Sequence, residues 1–270
     1  MKLVILFSLL AVGPLAWAAD PAQHTEVFGL APAASLPARM KVVDWNVEKA
    51  KEKNFAAEYR RITAGAHLVA LKEATTRINL FGLAQMASSA RPLQFFFAGP
   101  LRYPEGFSGT ATGGVVAPAR AAALFSRDLE PGIGTGKVVA FYPVAGRTLL
   151  VANTHGMNAA GKGPLAGDPF ERQITDVKAR LASHRGPLLW VGDFNTANKR
   201  KLKILLTATS ELGLTEVEFP EKDERLLKRG LIGRQALDRA FVRGLDVRSA
   251  SCIKTDGSDH NAVVLELRVP

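Results

Sequence analysis

Asn46, Glu73, Asn153, His155, Asp193, Asn195, Asp259 and His260 all fall at or just beyond the ends of apolar runs. Loops at strand ends let a rigid scaffold gather groups from distant parts of a chain. Carboxylates and amides converging there make a hard-oxygen site suited to Mg2+, Mn2+ or Ca2+. A histidine preceded by an aspartate, as in Asp259-His260, suits abstraction of a proton from water. Taken singly, each residue has a plainer reading. Asp193-Phe194-Asn195 has turn composition, Asn46 suits a turn or a cap, and Glu73 suits the start of a helix. A lone His155 is a structural histidine. The combination and its order carry the signal.

The elements that must position these groups follow from periodicity. Strands are predicted over 41–47, 67–71, 93–98, 121–125, 137–142, 148–153, 187–191, 236–242 and 262–269. Helices are predicted over 55–62, 79–90, 168–184 and 199–212, the last stopped by Gly213. Residues 99–118, rich in Gly, Pro and Thr, read as loop with at most one short strand, and 220–235 as a charged loop. Strands outnumber helices and several are joined by short turns. That pattern points to mixed sheets with covering helices, not to a simple parallel α/β fold. Gly132-Ile133-Gly134-Thr135-Gly136-Lys137 has the wrong spacing for a phosphate loop and reads as a turn.

Taken together, these pieces resemble the endonuclease/exonuclease/phosphatase superfamily, which includes deoxyribonuclease I-like nucleases, apurinic-site nucleases, bacterial sphingomyelinases and inositol phosphate phosphatases. The matching pieces are Trp45-Asn46-Val47, Leu71-Lys72-Glu73, Asn153-Thr154-His155, Gly192-Asp193-Phe194-Asn195, Leu237-Asp238 and Ser258-Asp259-His260-Asn261, in the family's order. The nearest likeness is to a small bacterial branch with motifs like Asn153-Thr154-His155-Gly156-Met157-Asn158 and Leu237-Asp238-Arg239-Ala240-Phe241-Val242. The resemblance implies an α/β chain of α+β type, a four-layer α/β sandwich with two face-to-face mixed β-sheets covered by helices.

The resemblance also implies roles. Glu73 becomes the principal metal ligand with Asn46 beside it. Asp193 orients or activates water, and Asn195 holds the phosphate or that water. His155 donates to a phosphate oxygen. His260 acts as general base or phosphate-stabilising group, Asp259 orients it or shares the metal, and Asp238 supports the site. Asn153, Lys199 and Arg200 are further candidate phosphate contacts. Two departures stand out. Lys72 occupies the position where many members have Gln, which puts a cation beside the metal site or points it away. The phosphate-contacting Tyr of the apurinic-site nucleases has no clear counterpart.

The formal net charge is +10 and the isoelectric point about 9.9. Cations flank the motifs: Lys49, Lys51 and Lys53 after Asn46, Lys199, Arg200, Lys201 and Lys203 after Asn195, and Arg225, Lys228, Arg229 and Arg234 before Asp238. Such cations contact phosphates without reading sequence, so nucleic acid is the expected substrate and non-specific cleavage the expected activity. The alternatives are a phospholipase C or sphingomyelinase-like enzyme, a small-phosphoester phosphatase and, against the complete motif set, a binding protein with a dead site. Phe95-Phe96-Phe97 reads as a buried strand rather than a membrane-entering loop. Residues 1–19, with Lys2, an apolar run and Ala16-Trp17-Ala18, read as an export signal, implying a periplasmic or secreted protein. Residues 20–38 read as a linker or arm, and 39–270 as one catalytic domain. The lone Cys252, read as a buried small residue, permits no internal disulfide and no cysteine-based zinc site. No stable protein partner is implied, and a monomer is expected.

Overall fold

The structure, a computed structural model, describes residues 20–89, 91–126, 136–158, 169–220 and 236–270. The expected export signal and the basic loop holding Arg225, Lys228, Arg229 and Arg234 lie outside the described residues. In chain order the elements are β1 (Asp20–Gly29), β2 (Arg39–Asn46), α1 (Phe55–Thr63), β3 (Leu68–Thr75), α2 (Leu83–Ser89), β4 (Gln94–Tyr103), β5 (Gly106–Gly114), β6 (Arg120–Leu124) and β7 (Lys137–Val144). They continue with β8 (Arg147–His155), α3 (Pro169–Leu181), β9 (Leu188–Asp193), α4 (Lys199–Glu211), β10 (Thr215–Glu216), β11 (Asp238–Arg243), β12 (Asp246–Ile253) and β13 (Ala262–Arg268).

Two mixed sheets result. One has seven strands in the order β1-β4-β5-β3-β2-β13-β12, the other six in the order β10-β11-β9-β8-β7-β6. Apolar residues of both sheets form one core cluster, which includes Val43, Leu71, Phe97, Val138, Val151 and Val191. A second cluster packs Phe170, Ile174 and Val177 of α3 and Leu205 of α4 onto Trp190 and Leu150. Phe55, Tyr59 and Ile62 of α1 are buried at helical spacing, and the Phe55 ring stacks on Trp45 with centroids 5.3 Å apart. The layers therefore run helix, sheet, sheet, helix, as the resemblance implies.

Each sheet contains one parallel pair, β2 with β3 and β8 with β9. A parallel pair needs a crossover, and α1 and α3 supply the two crossovers. Asn46 ends β2, His155 ends β8 and Asp193 ends β9, with His155 directly opposite Asp193 in the ladder. Glu73 lies near the end of β3. The carboxyl ends of both parallel pairs thus carry the candidate residues.

Several expectations need correction. Residues 20–38, expected as a linker or an arm, pack on the domain: Asp20–Gly29 is an edge strand antiparallel to β4, and Ala33 and Leu36 bridge to Val116 and Val144. Its Ala/Pro-rich composition hides this because its backbone bonds are supplied by a strand some 70 residues away. Residues 99–118 are not mainly loop, since β4 and β5 form a hairpin through them. The glycines are required there by contact: a Cβ on Gly109 would stand 1.9 Å from the Ala98 carbonyl oxygen. The helix expected over 79–90 is shorter, Leu83–Ser89. Cys252 is half-buried on β12, a strand on the edge of its sheet.

Lys72 points between the sheets, beneath the site and not into it. Its ammonium pairs with Asp44 Oδ1 at 2.5 Å, with the two side chains 0% and 1% exposed. Burial pushes the Asp44 carboxyl up to about 7 against the pull of Lys72, and the nearby Asp238 and Asp193 charges add to the rise. We expect Lys72→Met to leave Asp44 without its cation, so that the buried carboxyl takes up a proton, and to destabilise the fold by about 1–3 kcal/mol, read by chemical denaturation. Asp44→Asn combined with Lys72→Met should recover most of that loss; a double variant as unstable as the single one would refute this account of the pair. Because the folded carboxyl titrates above its ordinary value of 3.8, its contribution to stability is complete below that pH and is lost as pH rises through about 7. The double variant should show a flatter stability profile across this window.

Candidate active site

Asn46 is where the two sheets meet chemically. Its Nδ2 donates to Glu73 Oε1 at 3.3 Å, in its own sheet, and to Asp193 Oδ2 at 3.0 Å, in the other. Adjacent residues of a regular strand face opposite sides, yet Lys72 and Glu73 contact Asp44 and Asn46 on one face of β2. A β-bulge explains this. Between Leu71 and Ala74, β3 carries one residue more than β5, and Glu73 has a left-handed φ of 52°. The extra residue turns the Glu73 carboxylate inward. Burial would raise that carboxyl, but His155 and Lys49 outweigh it and hold it below the usual carboxylate range. Lys49 Nζ stands 2.5 Å from Glu73 Oε2.

Asp193 is fully buried and gathers both histidines. His155 Nε2 lies 3.7 Å and His260 Nε2 3.6 Å from the same oxygen, Oδ2. Burial opposes ionisation of Asp193, but His260, His155 and the Asn46 amide prevail and lower its pKa. Oδ1 accepts the Asn195 backbone N–H at 3.0 Å, and Asn195 also has a left-handed φ, 50°. Gly192 lets β9 approach β8, since a Cβ there would stand 2.0 Å from the Thr154 carbonyl oxygen.

The expectation that Asp259 orients His260 is corrected. His260 Nδ1 pairs with Asp238 Oδ2 at 2.7 Å, across 22 residues of sequence. Neighbours in a chain are poorly placed to share a ring nitrogen, whereas β11 runs antiparallel to β9 and sets Asp238 opposite Asp193. Burial would lower the His260 pKa; the carboxylates of Asp238, Asp193 and Asp259 override it and raise it to about 10. The ring is therefore an imidazolium at neutral pH in the protein alone. Trp45 Nε1 donates to the His260 carbonyl at 2.9 Å, and Ser258 Oγ donates to the Asn46 carbonyl at 2.7 Å, fixing the loop.

Asp259 belongs to the acidic side of the pocket. Its backbone N–H donates to Glu48 Oε2 at 3.2 Å. Burial raises its carboxyl pKa, and the charges of Glu48 and Glu73 raise it further against the pull of His260. Glu48 was missed from sequence, because only the fold of its turn brings it to Asp259.

Three other candidates take different places. Asn153 does not reach the pocket mouth. It lies one inward-facing position deeper than His155, and its Nδ2 donates to the Ala111 carbonyl at 2.9 Å and the Leu71 carbonyl at 3.3 Å in the opposite sheet. It ties the sheets together instead of contacting phosphate. Asn195 Nδ2 donates to the Gly156 carbonyl at 2.7 Å, securing the segment after His155. Lys199 and Arg200 are exposed in the first turn of α4. Lys201, grouped with them by sequence, turns inward and donates to the carbonyls of Met157 and Asn158 at 2.6 and 3.1 Å.

The donor set fits a hard divalent cation. Glu73, Asp259 and Glu48 crowd negative charge together, and an ammonium already stands on Glu73 where a cation is favoured. Glu73 and Asp259 would hold the ion, with Asn46 beside them. Asp193, Asp238 and His260 also offer ligand atoms within 4.8 Å of one another. A cation seated there would have to displace the His260 proton.

No family model matches the chain. A UPF0294 protein of Yersinia enterocolitica is 31% identical over 243 residues, which cover 89% of this chain and 88% of that protein. Among solved structures, an endonuclease/exonuclease/phosphatase family protein from Leptotrichia buccalis superposes with a TM-score of 0.63 at 16% identity, covering 85% of this chain and 99% of its own. D. rerio TDP2, complexed with single strand DNA product, superposes with a TM-score of 0.62 at 14% identity, covering 85% and 99%. The chain belongs to the UPF0294 family, built on the endonuclease/exonuclease/phosphatase fold that its motifs resemble.

Proposed function

We propose that this protein is a divalent-metal-dependent phosphodiesterase that cleaves nucleic acid without sequence selectivity after export to the periplasm or medium. The observation that carries the reading is the meeting of Glu73, Asp193, His155 and His260 around the Asn46 amide, from four separate strand ends or loops. A phosphodiester is anionic and resists a nucleophile. A divalent ion, which Glu73 and Asp259 would hold, would supply charge to offset the phosphoryl and leaving oxygens.

The chain's own groups do the rest. Asp193, held ionised, orients a water and takes its proton as the water oxygen bonds to phosphorus. The P–O bond to the leaving oxygen breaks, and that oxygen takes a proton from solvent. The His260 imidazolium and His155 donate hydrogen bonds to the phosphate, stabilising charge that grows in the transition state. Asp238 keeps His260 charged and oriented.

Substrate choice rests on charge and on fold neighbours. The chain carries a net charge of +10. Lys199 and Arg200 sit in the first turn of a helix, where the macrodipole disfavours cations, so helix stability does not account for them. D. rerio TDP2, of the same fold, is a complex with single strand DNA product. A phospholipid substrate has less support, because Phe95-Phe96-Phe97 lies on β4 with Phe95 and Phe97 buried and Phe96 half-buried against the core, as expected for a strand and not for a membrane-entering loop.

The deciding assay measures hydrolysis of DNA, RNA, sphingomyelin and bis(p-nitrophenyl) phosphate with Mg2+, Mn2+ or Ca2+. EDTA should abolish turnover, and Glu73→Ala or His260→Ala should each lower it at least ~100-fold. Undiminished turnover in Glu73→Ala would remove the metal assignment, and lipid turnover with none on nucleic acid would replace the substrate. A second test reads the role of His260 from pH. If the imidazolium is the active form, activity falls as pH rises past its pKa. Asp238→Asn, by removing the nearest carboxylate, should shift that alkaline limb to lower pH in kcat/KM profiles. Superimposable limbs would eliminate His260 as a charged donor.

A further inference from the structure

The turn that follows β2 drives an ammonium group into the acidic pocket. Glu48, Lys49 and Ala50 all have positive φ, at 47°, 60° and 55°. Residues with side chains avoid this region, so three in succession need holding. Glu48 N–H donates to Asn46 Oδ1 at 3.1 Å, Glu48 Oε2 accepts the Asp259 N–H, and Lys51 pairs with Glu48 Oε1. The turn so fixed sets Lys49 Nζ on Glu73 Oε2 at 2.5 Å while Asn46 takes Oε1. Both oxygens of the Glu73 carboxylate are engaged, one of them by a full positive charge.

An ammonium and a divalent ion cannot share one carboxylate oxygen, because their mutual repulsion at such distances is large in a half-buried pocket. We propose that Lys49 is a tethered counter-cation that occupies the Glu73 seat in the metal-free protein and must leave it for a divalent ion to bind. This rests on the reading of Glu73 as a metal ligand. Two consequences follow. Metal affinity is lower than the carboxylates alone would give. The metal-free pocket is spared the repulsion among Glu48, Glu73 and Asp259.

Lys49 is thus a positioning residue, and Mn2+ binding followed by the electron paramagnetic resonance of the free ion tests it without an activity assay. Lys49→Met removes the charge and keeps most of the stem. Lys49→Gly removes the side chain at a φ that glycine adopts freely, so the backbone does not penalise it. Lys51→Met removes a cation of the same turn that pairs with Glu48 instead. Both Lys49 variants should bind Mn2+ about 10-fold tighter or more, and Lys51→Met should shift affinity less than about 3-fold. In thermal melts without metal, Lys49→Met should unfold earlier than the parent, and saturating Mn2+ should close the gap. Unchanged Mn2+ affinity in both Lys49 variants would overturn the inference, as would an equal gain in Lys51→Met, which would mean only general charge. Glu73→Ala separates the two claims: Mn2+ bound equally well by it removes the metal reading and this inference together. Loss of binding in Glu73→Ala with no gain in the Lys49 variants removes this inference alone.

Discussion

One amide holds the pocket together. Asn46 uses Nδ2 for Glu73 and Asp193, Oδ1 for the Glu48 N–H, and its backbone carbonyl for Ser258 Oγ. It thereby joins a bulge in one sheet, a strand end in the other, the left-handed turn and the loop that carries Asp259 and His260. Two sheets packed through apolar side chains can slide by small amounts at little cost, because dispersion and burial are nondirectional. Hydrogen bonds are directional, so a polar tie at the rim sets the relative position that the apolar core leaves loose. Asn153 makes a second such tie deeper in, to the carbonyls of Leu71 and Ala111.

The geometry also explains where strain is concentrated. Glu73 and Asn195 adopt left-handed φ at strand ends in opposite sheets, and Glu48, Lys49 and Ala50 do so in the turn between β2 and α1. Unfavourable backbone of this kind persists when its surroundings over-determine it. Here the over-determination is visible: the Asp193 carboxylate receives the Asn195 N–H, Asn46 receives the Glu48 N–H, and the Lys49 ammonium meets Glu73. A regular ladder would have sent Lys72 and Glu73 to opposite faces. The bulge lets one lysine neutralise the interior while the next residue serves the pocket.

What the sequence reveals and what it hides divide along the range of the interactions. Asp193 and Asn195 are legible because polar residues stop an apolar strand, a local signal, whereas Asp259 and His260, in the loop before β13, stand out only through the Asp-His pair and the motif it completes. The carboxylate that pairs with His260 is not legible, because adjacency suggests Asp259 while the antiparallel ladder of β11 on β9 delivers Asp238. The direction of Lys72 stays open in sequence for the same reason: it depends on a one-residue slip in register with β5. The strands at 20–29 and 106–114 are missed because Pro, Ala and Gly mark loops in isolation, whereas Gly109 is present to admit the backbone of β4. Asn153 has the right type and the right face, but lies one step too deep on β8.

Burying so many acids at one end of a sandwich requires opposite charge from elsewhere in the chain, and each acid obtains it differently. Asp44 meets Lys72 in the dry interior. Asp238 and Asp193 share His260, and Asp193 also draws on His155. Glu73 meets Lys49, and Glu48 meets Lys51. The cations fall into two kinds. Lys72 is shut off from solvent and pairs with Asp44 between the sheets, so that pair serves the fold. Lys49 and Lys51 stand on a surface turn and keep partial exposure, so they can change partners without unfolding anything. An incoming phosphate adds negative charge to a pocket already balanced between buried acids and these cations, and low dielectric makes any imbalance expensive. On the proposed function, a bound phosphate and a bound cation at this rim would favour each other, and by linkage each would raise the affinity for the other by the same factor. With one lysine fixed in the interior and two partly exposed at the rim, the proposed pocket could take both charges while the sheets beneath it stay in place.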